Sequence, residues 1–196
     1  MDYCGPMPSK TEPESSTRSR TRRAILDAAL ELLSQRPGTS LGEIAEAAGV
    51  GRSTLHRYFS ERSELIAAIA GDAVDKLTSG VAEAALNQGT PVEALRRVVH
   101  VYFEFGPVLL FLVSEPQVST EIVTGIETAD VPVLELIQRG QREGYFDSSV
   151  SAQWISRVLG WMVHAGSESV REGELTRFEA VETVIRTLER GVVSAG

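Results

Sequence analysis

Residues 40–59 read SLGEIAEAAGVGRSTLHRYF, and this stretch decides the fold, because it spells two short helices around a tight turn. Ser40-Leu41-Gly42-Glu43 has the S-x-x-E form of a capping box. The serine hydroxyl satisfies an orphan backbone N–H, and the glutamate reaches back to the cap. Leu41, Ile44, Ala45 and Ala48 then recur at helical spacing on one face. Gly49 stands where that helix must stop, since a left-handed residue costs least without a Cβ. In the second helix Val50, Leu55 and Phe59 point inward, while Arg52, Ser53, Thr54, His56 and Arg57 point outward. That is the layout of a helix-turn-helix, whose second helix lies in the DNA major groove.

The outward side chains suit that groove. Arg52 and Arg57 have the fork that grips guanine O6 and N7, and Arg52 sits at the deeper, N-terminal end. Ser53 and His56 lie beside it, able to read bases or shape. Thr39, Ser40, Thr54, Tyr58 and Arg62 are the expected phosphate anchors, Ser40 with the added pull of a helix N-terminus on anions.

The pattern extends to both sides, through TRRAILDAALELL from Thr21 and SERSELIAAI at Ser60 to Ile69. Over this span the chain resembles the TetR family of bacterial transcriptional regulators, whose usual signature is an apolar first helix followed by "IA..AGVS..TLY.YF..K..L". Ile44-Ala45, Ala48-Gly49-Val50, Thr54-Leu55, Tyr58-Phe59 and Leu65 fit it. Two positions depart: His56 stands where the family usually has Tyr, and Arg62 where it usually has Lys. The resemblance implies that Thr54, Tyr58 and Arg62 contact the DNA backbone. It implies that Arg52, Ser53, His56 and Arg57 face bases. It further implies a middle section with a small-molecule cavity, a homodimer through the last two helices, and repression as the commoner output.

Charge is divided along the chain. Residues 1–62 balance to +1 and residues 63–196 to −9, so a mildly basic end adjoins an acidic remainder. Such a split is expected when one end meets phosphate and the rest does not. Cys4 is the single cysteine, so no intrachain disulfide forms and a reducing compartment is compatible. The run from Val108 to Val113 is far too short to span a bilayer, and the N-terminus has no signal-peptide core. A cytoplasmic location is expected.

The remaining pattern is all-α, with about nine helices and no period-two strand. Residues 1–15 are expected to be a disordered tail, 16–62 the DNA-binding head and 63–196 the ligand-binding and dimerisation body. Arg18, Arg20, Arg22 and Arg23 read either as a solvated helix start or as an arm that contacts phosphates. Two further capping boxes, Thr90 to Glu93 and Thr176 to Glu179, open helices in the body. Breaks are expected at Gly106-Pro107 and around Asp130, with Pro132 starting a new helix. The last two helices carry wide apolar faces, that of the last through Phe178, Val181, Val184, Ile185 and Leu188, and Gly160 and Gly166 allow a partner's close approach.

For the ligand, His100, Tyr102, Phe103 and Phe111 are the candidates, with Glu104 as a further polar group. The pairs His100/Glu104 and His164/Glu168 have metal-ligand spacing but too few ligands, so neither metal nor cofactor is expected. The Gly49-Val50-Gly51 triplet follows a helix rather than a strand and is no dinucleotide fingerprint. Without a catalytic motif the chain reads as a non-enzyme. The open alternative is a helical adaptor that binds protein instead of DNA.

Overall fold

The computed structural model describes residues 12–114 and 120–192. Eight helices run in order: α1 Glu12–Gln35, α2 Leu41–Ala47, α3 Arg52–Tyr58, α4 Arg62–Glu83, α5 Pro91–Ser114, α6 Thr120–Arg142, α7 Ala152–Arg171 and α8 Arg177–Val192. Among the described residues there is no strand, and no helix is long and apolar enough to cross a membrane. The chain divides into two compact units at Leu65/Ile66.

The described residues form eight helices where about nine were expected, and two anticipated breaks do not occur. α5 passes through Gly106-Pro107 without interruption. α6 passes through Pro132, although an internal proline removes a helix hydrogen bond and costs about 3 kcal/mol. Packing outweighs that cost: Ala129, Val133, Leu136 and Ile137 are all buried and carry one stripe across the proline. α1 begins at Glu12, inside the stretch expected to lack order, with Pro13 in the first turn, where its missing N–H is harmless. Residues 1–11, Cys4 among them, lie outside the described residues.

The first unit is small. Ile25, Leu26, Ala29 and Leu33 of α1 are buried with Ile44 and Ala45 of α2, Leu55 of α3, Phe59 and Leu65. The second unit holds the larger core, in which Leu77 and Val81 of α4 join the inward faces of α5, α6, α7 and α8. Phe146 is fully buried against α6, and it fits only because residue 140 is glycine: a Cβ there would lie within 3.0 Å of three carbons of its ring. Gly140→Ala should therefore cost about 1–3 kcal/mol, read as a lower urea midpoint with unchanged slope.

All three anticipated capping boxes form. Glu43, Glu93 and Glu179 accept the backbone N–H of Ser40, Thr90 and Thr176 at 2.8, 2.9 and 2.8 Å. Glu64 accepts the N–H of Ser60 in the same manner at 2.8 Å. Each carboxyl is held below its ordinary value of 4.5, first by that backbone donor and second by the cap hydroxyl. Because the folded-state values are depressed, this stabilisation is complete above the unfolded value and is lost as pH falls through the folded ones. Melting temperature should fall between about pH 5 and pH 3, and Glu179→Gln should flatten part of that fall. A melting temperature unchanged over this range would contradict it.

Candidate nucleic-acid interface

The helix-turn-helix is built by local chemistry. Ser40, extended at φ −79 and ψ 155, caps α2 and completes the reciprocal box with Glu43. α2 ends in a left-handed glycine, Gly49, at φ 66. The Gly49 N–H donates to the Glu46 carbonyl at 3.0 Å, and the Val50 N–H to the Ala45 carbonyl at 2.9 Å. These two bonds are a Schellman closure, and they fix the angle at which the chain leaves α2. Gly51 then caps α3 with its backbone alone.

α3 presents its outer face as expected. Arg52, Ser53, His56 and Arg57 are exposed, Thr54 and Tyr58 are half-buried, and Leu55 and Phe59 are buried. Leu55 and Phe59, one turn apart, anchor the helix, so the four exposed side chains share one rigid surface. The Arg57 guanidinium lies 6.0 Å from the Tyr58 ring and that of Arg22 lies 5.8 Å from the Phe59 ring. Both keep a cation beside the recognition surface.

The expected phosphate anchors divide. Tyr58 donates its hydroxyl to the Arg18 carbonyl of α1 at 3.3 Å. Thr39 is buried, and its hydroxyl donates to the Arg36 carbonyl at 2.7 Å. Ser40 donates its hydroxyl to Glu43 at 2.8 Å. Arg62 donates to the Thr39 carbonyl at 2.8 Å and to the Pro37 carbonyl. Thr39, Ser40 and Arg62 thus hold the α1–α2 connection, and sequence reading missed this tether because its acceptors are backbone carbonyls more than twenty residues from Arg62. The arginines before Thr21 belong to α1 itself, where Arg20 donates to the Ser16 carbonyl at 3.3 Å.

The expected ligand residues also separate. His100 lies exposed on α5, whereas Tyr102 and Phe103 are buried. The side chain of Phe111 lies outside the described residues. Glu104 pairs with Arg177 of α8. Tyr102 donates its hydroxyl to Asp130 of α6, and Ser156 of α7 donates to the other carboxylate oxygen. Burial, and then the Asp130 charge, push the Tyr102 hydroxyl well above its ordinary value of 10. Asp130 was expected in a loop. Its signal was there to read, an acidic residue on the stripe shared by Ala129, Val133 and Ile137.

The late helices carry a surface of their own. Trp154 and Trp161 of α7 are 57% and 59% exposed, and Phe178 of α8 is 75% exposed. Gly160 has open space at its Cβ position. Gly166 does not serve partner approach: it accommodates the Phe103 ring, which a Cβ would meet at 2.7 Å. Among the described residues no group of three His, Cys, Asp or Glu side chains could hold a metal ion.

A sequence model of bacterial regulatory proteins of the tetR family matches residues 25–69. The transcriptional repressor LfrR of Mycolicibacterium smegmatis is 36% identical over 183 residues, covering 92% of this chain and 95% of its own. The transcriptional activator FasR of the same organism is 34% identical over 165 residues, covering 79% of this chain and 72% of its own. Among solved structures, LfrR in complex with proflavine matches with a TM-score of 0.76 at 35% identity, over 90% of this chain and 99% of that one.

Proposed function

Because this chain belongs to the TetR family and is a DNA-binding transcriptional regulator, we propose that it is a repressor whose hold on a two-fold-symmetric operator is released by a small molecule. The observation that carries the reading is α3, which sets Arg52, Ser53, His56 and Arg57 on one exposed face. Arg52 and Arg57 read bases with Ser53 and His56 beside them, and Thr54 and Tyr58 meet phosphates, Tyr58 by turning its hydroxyl away from the Arg18 carbonyl. Arg62, Thr39 and Ser40 act by holding the loop that orients this face.

The head is residues 16–62 and the body is residues 63–196. The body carries the ligand, and of the residues expected from sequence Tyr102 and Phe103 are the ones that stand inward. LfrR, at 36% identity over most of both chains, binds proflavine in its solved complex, and a planar aromatic cation is the first ligand to try. Two copies pair through α7 and α8, whose exposed Trp154, Trp161 and Phe178 are otherwise unexplained. A cytoplasmic location follows from the DNA target.

The mechanism is a shift of population. A ligand that prefers the form with mis-spaced recognition helices lowers DNA affinity in proportion to that preference.

Selection of bound sequences from random DNA tests the reading. An enriched inverted repeat is expected, with half-sites about one helical turn apart. Binding to it should fall steeply with salt, since several phosphates are neutralised. Proflavine should then release the selected fragment. An enriched pool without inverted repeats would defeat the two-fold reading, and DNA retention at saturating proflavine would defeat the ligand assignment. A reporter placed behind the selected site separates repression from activation, the activity for which FasR is named.

A further inference from the structure

Between the end of α4 and the second half of α6 lies a cleft of about 530 Å³, within the size range of small-molecule sites. Its walls are apolar at Val81, Ala85 and Leu136, and polar at Glu135, Arg139 and Arg142. One wall is held in an unusual form. Ala85 has φ 48, the left-handed region that a Cβ disfavours. Arg97 fixes it there by donating to the carbonyls of Ala84, Ala85 and Gln88 at 2.7, 3.0 and 2.7 Å. Strained backbone of this kind collects at ligand sites.

Arg139 is the anomaly. Its Nε and Nη2 are shut off from water and make no hydrogen bond. Glu143 Oε1 lies 3.9 Å from Nε, an ion pair beyond hydrogen-bond reach. Buried donors are nearly always partnered, and charged ones most of all. The two orphaned atoms form one edge of the guanidinium, the edge that grips a carboxylate with two parallel bonds. Elsewhere in this chain that same edge is satisfied: Arg171 donates Nε and Nη2 to the two oxygens of Glu168 at 3.3 and 2.6 Å.

We propose that the α4–α6 cleft binds a small amphipathic carboxylate, its head group on the Nε–Nη2 edge of Arg139 and its apolar body along Val81, Ala85 and Leu136. Because both atoms are shut off from water, binding requires the terminal bonds of Arg139 to turn this edge toward the cleft. Arg142 adds positive charge, and Glu135 opposes the anion, which keeps binding modest and makes it tunable. The site is separate from the Tyr102–Asp130 cluster and does not depend on the proflavine reading.

Calorimetric titration of the full chain with octanoate, with its neutral amide and with inorganic phosphate tests the site, using wild type, Arg139→Met and Glu135→Gln. Octanoate should bind wild type at concentrations below about 5 mM. Arg139→Met should weaken octanoate by about tenfold or more while leaving the amide unchanged. Glu135→Gln should tighten octanoate binding, a gain that misfolding does not produce. Equal octanoate binding by wild type and Arg139→Met, or none by wild type, overturns the proposal. Phosphate binding as tight as octanoate overturns its apolar half. Because no DNA is present, failure here leaves the regulatory reading standing.

Discussion

Replacing Arg52 with alanine should weaken operator binding by roughly 5- to 150-fold per half-site, the worth of one bidentate arginine–guanine contact at about 1–3 kcal/mol. Arg52 is the first residue of α3 and is exposed, so its loss removes nothing from the core. The melting temperature should stay close to wild type, since exposed substitutions away from caps change stability little. The variant should also lose discrimination: binding to the selected site falls toward binding to scrambled DNA. Arg52→Lys keeps the charge without the fork, and should recover non-specific affinity more than specificity. Fluorescence anisotropy on both DNAs at fixed salt reads all of these quantities. A variant that binds the selected site as tightly as wild type would remove Arg52 from the base-reading set and leave Arg57 to carry it.

The second large effect concerns pairing. The double substitution Trp154→Glu with Trp161→Glu should convert the proposed dimer, near twice 21.2 kDa, into a monomer, measured by light scattering at micromolar concentration. The two rings lie seven residues apart, two turns along one face of α7, and more than half of each is exposed. Covering what remains exposed is worth roughly 2–3 kcal/mol per ring, and a symmetric pair covers four. Glutamate forfeits that and places charge where an interface must dry. The fold should survive, because α7 is held by Ile155, Leu159 and Val163 on its buried side. Operator affinity should collapse with the dimer, since a lone head reads only one half-site. A double variant that remains dimeric would place the interface elsewhere.

Legibility in the sequence followed the range of the interaction. Ser40 and Glu43, Thr90 and Glu93, and Thr176 and Glu179 are three residues apart, and all three boxes formed as read. Gly49 could be assigned because a helix stop with positive φ is a one-residue decision. The exposed set on α3 was equally readable, since the burial of Leu55 and Phe59 fixes which face is left. Failures began where the partner was distant. The tether from Arg62 to the Pro37 and Thr39 carbonyls went unread, because backbone acceptors so far away leave no local pattern. Gly166 looked like a partner's contact until the Phe103 ring was seen above it. The partners of Asp130, Tyr102 and Ser156, could not be read from sequence, because they stand on two other helices.

The sequence by itself determined that this chain is helical, where its caps fall, and that one short helix carries arginine, serine and histidine side chains on its exposed face. Those properties arise from backbone geometry and side-chain spacing within one or two turns, which the order of residues states directly. Only the tertiary structure decided that α5 and α6 run unbroken through their prolines, because the buried stripe around Pro132 outweighs the bond the proline removes. It alone decided which tryptophans stay exposed and which arginine keeps two donors without a hydrogen bond. Those outcomes depend on what remote residues cover, and coverage is a property of the packed molecule that no local pattern contains.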